Sequence, residues 1–175
     1  MKIYLIAGKA GSGKSEVAKI IEEYYLSLNQ RPIITEFSKY LKLYAKEIVN
    51  WNGNDPKPRK FLQDLGVTIR DNMDMPHMLI DRMIEDIKIY SLYFDVVIIS
   101  DVRFPDEITE LKKVFRDVYS LYVVNQFGQS SLSIEEQMHV TETALEQFND
   151  FDITIANDNI NVLDNRVVDF IESRD

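Results

Sequence analysis

Apolar and polar positions along this chain fall into two kinds of block. Short, nearly unbroken apolar runs, KIYLIAG, PIITEF, FDVVIIS, YSLYVV and DITIA, predict strands. Between them lie SEVAKIIEEYYLSL, SKYLKLYAKEIVNW, residues 57–72, residues 76–93, DEITELKKVF and INVLDNRVVDFIES, whose apolar residues recur at helical spacing. Ser38 stands where a helix is capped, and Pro76 where a first helical turn tolerates proline. The Val- and Ile-rich FDVVIIS reads as a strand buried on both faces, with Asp101 directly at its end. Strands alternating with helices predict an α/β, three-layer fold: a parallel central sheet flanked by helices. NGNDPKP is the clearest loop, and NQFGQSSLSIEEQ is the most polar connection and a candidate flap.

Length and charge narrow this picture. A chain of 175 residues fits one domain with a real core. It has no apolar run long enough to span a bilayer, and its start, MKIYLIAGKAG, passes straight into a Gly-rich turn without a cleavable apolar segment, so a cytoplasmic protein without membrane partners is expected. With no cysteine and only two separated histidines, any metal should be bound by oxygen. A net charge of -9 argues against nucleic acid polymers as partners, while a small phosphorylated ligand in a locally positive cleft stays open, as does a homodimer. No Lys or Arg occurs between Arg116 and Arg166.

The candidate chemistry begins at IAGKAGSGKSEVAK. Gly8, Gly13, Lys14 and Ser15 satisfy G-x-x-x-x-G-K-[ST] between an apolar strand and an amphipathic helix, the context in which the pattern cradles phosphates. The glycines, Gly11 included, let the N–H groups of residues 11–15, Ser12 among them, turn toward phosphate oxygens at the positive end of the following helix. Lys14 would reach the β and γ phosphates of ATP, and the Ser15 hydroxyl would complete the shell of Mg²⁺. Asp101, beyond a central strand, is the natural second metal group, and Arg103 supplies a fork of donors for a phosphate. In KPRKFLQDLGVTIR, Arg59 and Arg70 are eleven residues apart, so an unbroken helix would put both on one side, with Gln63 between them and Gly66 the point where it would break. The plainer readings are a turn cap for Asp101, a surface ion pair with Asp106 or Glu107 for Arg103, and a solvated helix face for Arg59, Gln63 and Arg70. Phe61, Leu62, Leu65 and Val67 read as core, Trp51 as cover for it, and His77 and His139 as ordinary polar positions.

Beyond the P-loop the chain carries FSKYLK, KPRKFLQDLGVTIR, VVIISDVRFPDE, HVTE and DITIANDNINVL, in that order. In these segments it resembles the phage-type deoxynucleoside monophosphate kinases, over almost its whole length. The resemblance implies transfer of the ATP γ-phosphoryl group to the 5′-phosphate of a deoxynucleotide. It implies that Gly8 to Ser15 hold ATP and Mg²⁺, that Lys14, Asp101 and Arg103 flank the transferred group, and that Lys42, Arg59, Gln63, Arg70 and Arg103 contact the acceptor. The expected layout is one kinase domain over 1–175, with an acceptor-binding helical insertion at about 38–93 and a lid at about 125–140. Such kinases commonly supply arginines from the lid, yet residues 125–139 contain none. The neutralising cations are therefore expected to be Arg103, Arg70 and Arg59, with backbone N–H groups and the Gln129, Ser130 and Ser131 side chains as the other source.

Other functions stay open at this level. A P-loop kinase could act on another small acceptor, of the dephospho-coenzyme A or phosphomevalonate type, and a hydroxyl acceptor would call for a base such as Glu36 or Asp101. A binding module in which ATP orders the flap for a partner is the reading from a different class.

Overall fold

The computed structural model describes residues 1–54, 56–125, 138–158 and 160–174. Every predicted strand is present: β1 (Lys2–Ala7), β2 (Pro32–Thr35), β3 (Val96–Val102), β4 (Val118–Val124) and β5 (Ile153–Ala156). They form one parallel sheet in the order β2-β3-β1-β4-β5. The helices are α1 (Lys14–Ser27), α2 (Lys39–Ile48), α3 (Arg59–Val67), α4 (Met78–Tyr90), α5 (Pro105–Val114), α6 (Val140–Thr143) and α7 (Ile160–Glu172). No helix among the described residues is long and apolar enough to cross a membrane.

The period-2 geometry of a strand explains why the apolar runs are unbroken. In β1, Tyr4 and Ile6 enter the core beneath α1 and α7, with Val17, Ile21, Leu163 and Val167. Ile3, Leu5 and Ala7 enter the opposite core beneath α4 and α5, with Ile80, Met83, Ile87, Ile108 and Leu111. Most of these side chains are wholly buried, each stabilising the fold by roughly 1.5–3 kcal/mol. Tyr4 and Tyr25 bury their rings and satisfy each other's hydroxyls at 2.5 Å.

The strand order places the site. From β1 the chain runs outward to β2, returns through β3 and crosses to β4 on the other side of β1. The carboxyl ends of the adjacent strands β1 and β3 therefore open on a crevice at the switch point. Over this crevice lies the insertion, which has a small core of its own in Leu41, Ala45, Leu62 and Ile69, covered by Trp51, Phe61 and Leu65.

Four local expectations are revised. Gly66 does not break its helix: a Cβ there would lie 3.4 Å from Leu41 Cδ1, so glycine lets α2 and α3 approach. Past Val67 the helix widens into a π-helical turn over Thr68–Asn72, which rotates Arg70 away from the position that regular spacing from Arg59 gives it. Ser38 precedes α2 without capping it, because its hydroxyl donates instead to Glu36 Oε2 at 2.9 Å. His139 is more than an ordinary polar position, since its Nδ1 accepts from Thr141 N at 3.3 Å and caps α6, a helix the periodicity does not predict.

Candidate active site

A cleft of about 390 Å³ lies between the carboxyl edge of the sheet and the insertion. Lys14, Ser15, Lys42, Arg59, Gln63, Arg70, Asp101 and Arg103, far apart in sequence, all line it, with Gly11 at its rim. Gly8, Ser12 and Gly13 lie beneath, as the floor of the loop.

The loop is shaped by its glycines. Gly8, Gly11 and Gly13 have φ of 146°, 76° and 98°, a region costly for any residue with a Cβ. Space is equally restrictive: a Cβ on Gly8 would come within 2.5 Å of the Val123 carbonyl, and one on Gly13 would overlap the Asn157 amide. That amide donates to Ser12 O at 3.0 Å, clamping the loop from the end of β5, a contact that sequence spacing does not reveal. Outside Gly11 there is open space. Bonds of the first turn of α1 begin with Glu16 N and Val17 N on the Gly13 carbonyl, so the preceding N–H groups are free of the helix ladder. The expectation that every N–H from 11 to 15 turns outward fails at Ser12, whose N–H donates to Lys9 O at 3.2 Å. The Ser12 hydroxyl is buried without a partner among the described residues, an unsatisfied polar atom within the loop itself.

Lys14 bends back over the loop and donates to the Gly8 and Lys9 carbonyls, each at 2.8 Å. Burial, with Arg103 adding to it, pushes its ammonium down to about 8, against the pull of Glu142 and Asp101. Asp101 lies inside β3, one residue before its end, and is not a simple turn cap. Its oxygens accept from Phe37 N at 2.8 Å and Ser38 N at 2.9 Å, tying β3 to the entry of α2. Each oxygen keeps a further lone pair. Arg103 pairs with neither Asp106 nor Glu107. Its Nη1 donates to Glu142 Oε1 at 2.6 Å and to Thr141 O at 3.3 Å. Glu107 instead closes the start of α5, accepting from Arg103 N at 2.6 Å and Phe104 N at 3.0 Å. Burial, reinforced by Asp101 and Asp106, raises Glu107 to about 8 in spite of those two bonds.

At the insertion end the cations meet carboxylates. Lys42 is paired with Glu36. Burial alone would raise Glu36, but hydrogen bonds from Lys42 and Ser38 outweigh it and hold the carboxyl below its usual value. Arg70 pairs with Asp106 and stacks on the Phe104 ring at 4.2 Å. Lys57, which the sequence reading passed over, also lines the cleft. It is exposed at the mouth, yet partial burial of its ammonium, with Lys42 alongside, lowers its pKa. Gln129, Ser130 and Ser131 lie outside the described residues, as does most of the expected lid.

No family model and no curated protein matches the sequence. Solved structures do match in fold. A thymidylate kinase from Ehrlichia chaffeensis superposes with a TM-score of 0.56 at 13% identity, covering 97% of this chain and 98% of that one. Shikimate kinase from Bacteroides thetaiotaomicron gives 0.55 at 15% identity, with 98% of each chain covered. Shikimate kinase from Aquifex aeolicus gives 0.53 at 14% identity, covering 99% of this chain and 97% of that one. The chain has the α/β fold of these P-loop kinases.

Proposed function

We propose that the chain transfers the γ-phosphoryl group of ATP to the 5′-phosphate of a deoxynucleoside monophosphate. The observation that carries this reading is the single cleft, which has the phosphate-type loop at one end and Lys42, Lys57, Arg59 and Arg70 around the other. A loop to grip one polyphosphate and cations to grip a second anion suit a reaction whose two substrates are both phosphorylated.

The residues divide the work. The free N–H groups of the loop and Lys14 would hold the β and γ phosphates. Among the described residues no group of three or more His, Asp or Glu side chains is placed to hold a metal alone. That suits an ion such as Mg²⁺, which keeps waters and shares phosphate oxygens, with Ser15 and Asp101 as its protein ligands. When bound, Mg²⁺ would neutralise charge on the transferred group. Arg103 at the loop would offer a guanidinium fork to the transferred group, and Arg70, stacked on Phe104 next to it, a second cation.

A phosphate acceptor is already an anionic nucleophile, so positioning and charge neutralisation do the work and no base is required. This bears on the competing acceptor class. Of the two candidate bases, Glu36 is engaged by Lys42 and Ser38, and Asp101 by two backbone N–H groups. A hydroxyl acceptor would therefore find Glu36 engaged and would compete with the metal for the lone pairs that Asp101 keeps.

An ADP-release assay over a panel of nucleoside and deoxynucleoside monophosphates tests the proposal. The expected result is turnover dependent on a deoxynucleoside monophosphate. Turnover with other acceptors alone would move the chain to another kinase class, and ATP binding with no turnover would make it a nucleotide-gated module.

A further inference from the structure

Glu142 is the most enclosed carboxylate among the ion pairs of the described residues, with a side chain only 6% exposed, and the phosphate-binding pattern does not account for it. One carboxylate oxygen accepts from Ala10 N, on the crest of the loop, at 2.9 Å. The other accepts from Arg103 Nη1 at 2.6 Å. The residue thus bridges the loop after β1 and the arginine after β3.

Its support is a packed segment. Three residues on, Leu145 is buried in the core beneath α4 and α5, where Phe148 and Phe151 pack around it. Glu146 is paired with Lys9 at 2.6 Å, a second tie between this segment and the loop. His139 caps α6 from the other side. These contacts tie Glu142 to the body of the domain.

The bridge also sets the orientation of the arginine. Both Arg103 side-chain bonds, to Glu142 and to the Thr141 carbonyl, use Nη1. Nε and Nη2, the edge that grips a phosphate with two parallel bonds, have no partner among the described residues. The geometry points to Glu142 as a positioning residue for phosphoryl transfer: it fixes the Arg103 guanidinium against the loop with its two-pronged edge free for the transferred phosphate. This rests on the transfer reading above, and it supplies what an arginine-free lid cannot, an arginine locked in place from the body of the domain.

A double-mutant cycle with Glu142→Ala and Arg103→Ala tests it, read in kcat and in the ratio of ATP to ADP affinity by calorimetry with Mg²⁺. Each single change is expected to lower kcat about tenfold or more and to reduce the preference for ATP. The double variant should be no worse than the poorer single one, because Glu142 acts through Arg103. Glu142→Gln keeps an acceptor for Ala10 N–H without the charge that holds the guanidinium, and should fall between wild type and Glu142→Ala; it also serves if Glu142→Ala fails to fold. Additive losses would overturn the proposal by giving Glu142 an independent role. So would an ATP preference that neither single change moves. Tighter ATP binding or faster turnover in Glu142→Ala would overturn it too, by making the carboxylate an internal competitor of phosphate. If the wild type turned over no acceptor, the transfer reading would fail, while the affinity cycle would still decide whether Glu142 sets Arg103.

Discussion

At the loop end of the cleft the groups offered to a phosphate, Arg103 apart, come from eight consecutive residues, Gly8 to Ser15, shaped by three positive-φ glycines and the start of a helix. At the insertion end they come from α2, the Gly/Pro loop, α3 and the π-helical turn, standing on a separate small core. The cations differ in the same way. Lys14 leans on carbonyls of its own loop, whereas Lys42 and Arg70 are each matched to a carboxylate. One end is preorganised by local backbone geometry and the other by packing and ion pairs between distant segments. A ligand at the loop end finds its donors already aimed, while an anion at the insertion end must compete with Glu36 and Asp106.

The sharpest break in that comparison is Lys14→Ala. Removing a preorganised donor at developing charge commonly costs ~10²–10³ in rate, and a loss of that size in kcat/KM is expected. Calorimetry should show ATP binding weakened and monophosphate binding changed less than about twofold, in line with distant sites acting independently. Equal loss of both ligands would mean that the two ends form one unit.

Arg59→Ala probes the opposite end and should raise the acceptor KM about tenfold, near the effect of one charge-assisted hydrogen bond, with little change in the KM for ATP. Arg70→Ala is expected to add a second effect, a lower Tm. Asp106 has one oxygen already buried without a partner among the described residues, and it would then lose its guanidinium as well. A tenfold rise in the KM for ATP in Arg59→Ala would refute the division.

A smaller effect follows from the pKa of Lys14, pushed down to about 8 by burial and Arg103. A bound polyphosphate favours the ammonium and raises that value, so only the protonated loop binds well. ATP affinity should therefore be level below about pH 8 and fall several-fold as pH rises above it. Lys14→Arg, whose side chain stays charged, should show no such decline even if its overall affinity is lower. Parallel profiles would sink the assignment.

The same contrast decides what could be read from the chain. The sheet and the loop were legible because every strand is a continuous apolar run, buried on both faces in the central strands β1 and β3, and the glycines fall at fixed offsets. Arg59, Gln63 and Arg70 could be named from their spacing, but not the widening over Thr68–Asn72 that sets where Arg70 points. The plainer reading of Arg103, an ion pair with Asp106 or Glu107, named the wrong carboxylates, since those are near in sequence while Glu142 arrives from 39 residues away. Asn157, which clamps the loop from 145 residues beyond Ser12, left no local trace. The general rule is that periodicity reports burial, and a side chain's partner is decided by topology.

Glu107 offers the finest test, because it joins the two ends: it accepts from Arg103 N at one side and sits beside Asp106 at the other. Its folded carboxyl is raised from 4.5 to about 8, mainly by burial. The folded chain therefore keeps a proton that the unfolded chain has released. The stability tied to that proton is whole below about pH 4.5 and is lost progressively as pH climbs to about 8. Glu107→Gln is neutral in both states and its amide oxygen still accepts from both N–H groups, so it should lack this slope. Thermal melts of the two proteins between pH 5 and 8 should diverge by on the order of 10 °C, at ~1.4 kcal/mol per pH unit and ~2–4 °C per kcal/mol for a domain of this size, with the wild type losing ground as pH rises. If the two profiles stayed parallel, the two backbone N–H groups would have outweighed burial, and Glu107 would be an ordinary ionised cap at the start of α5.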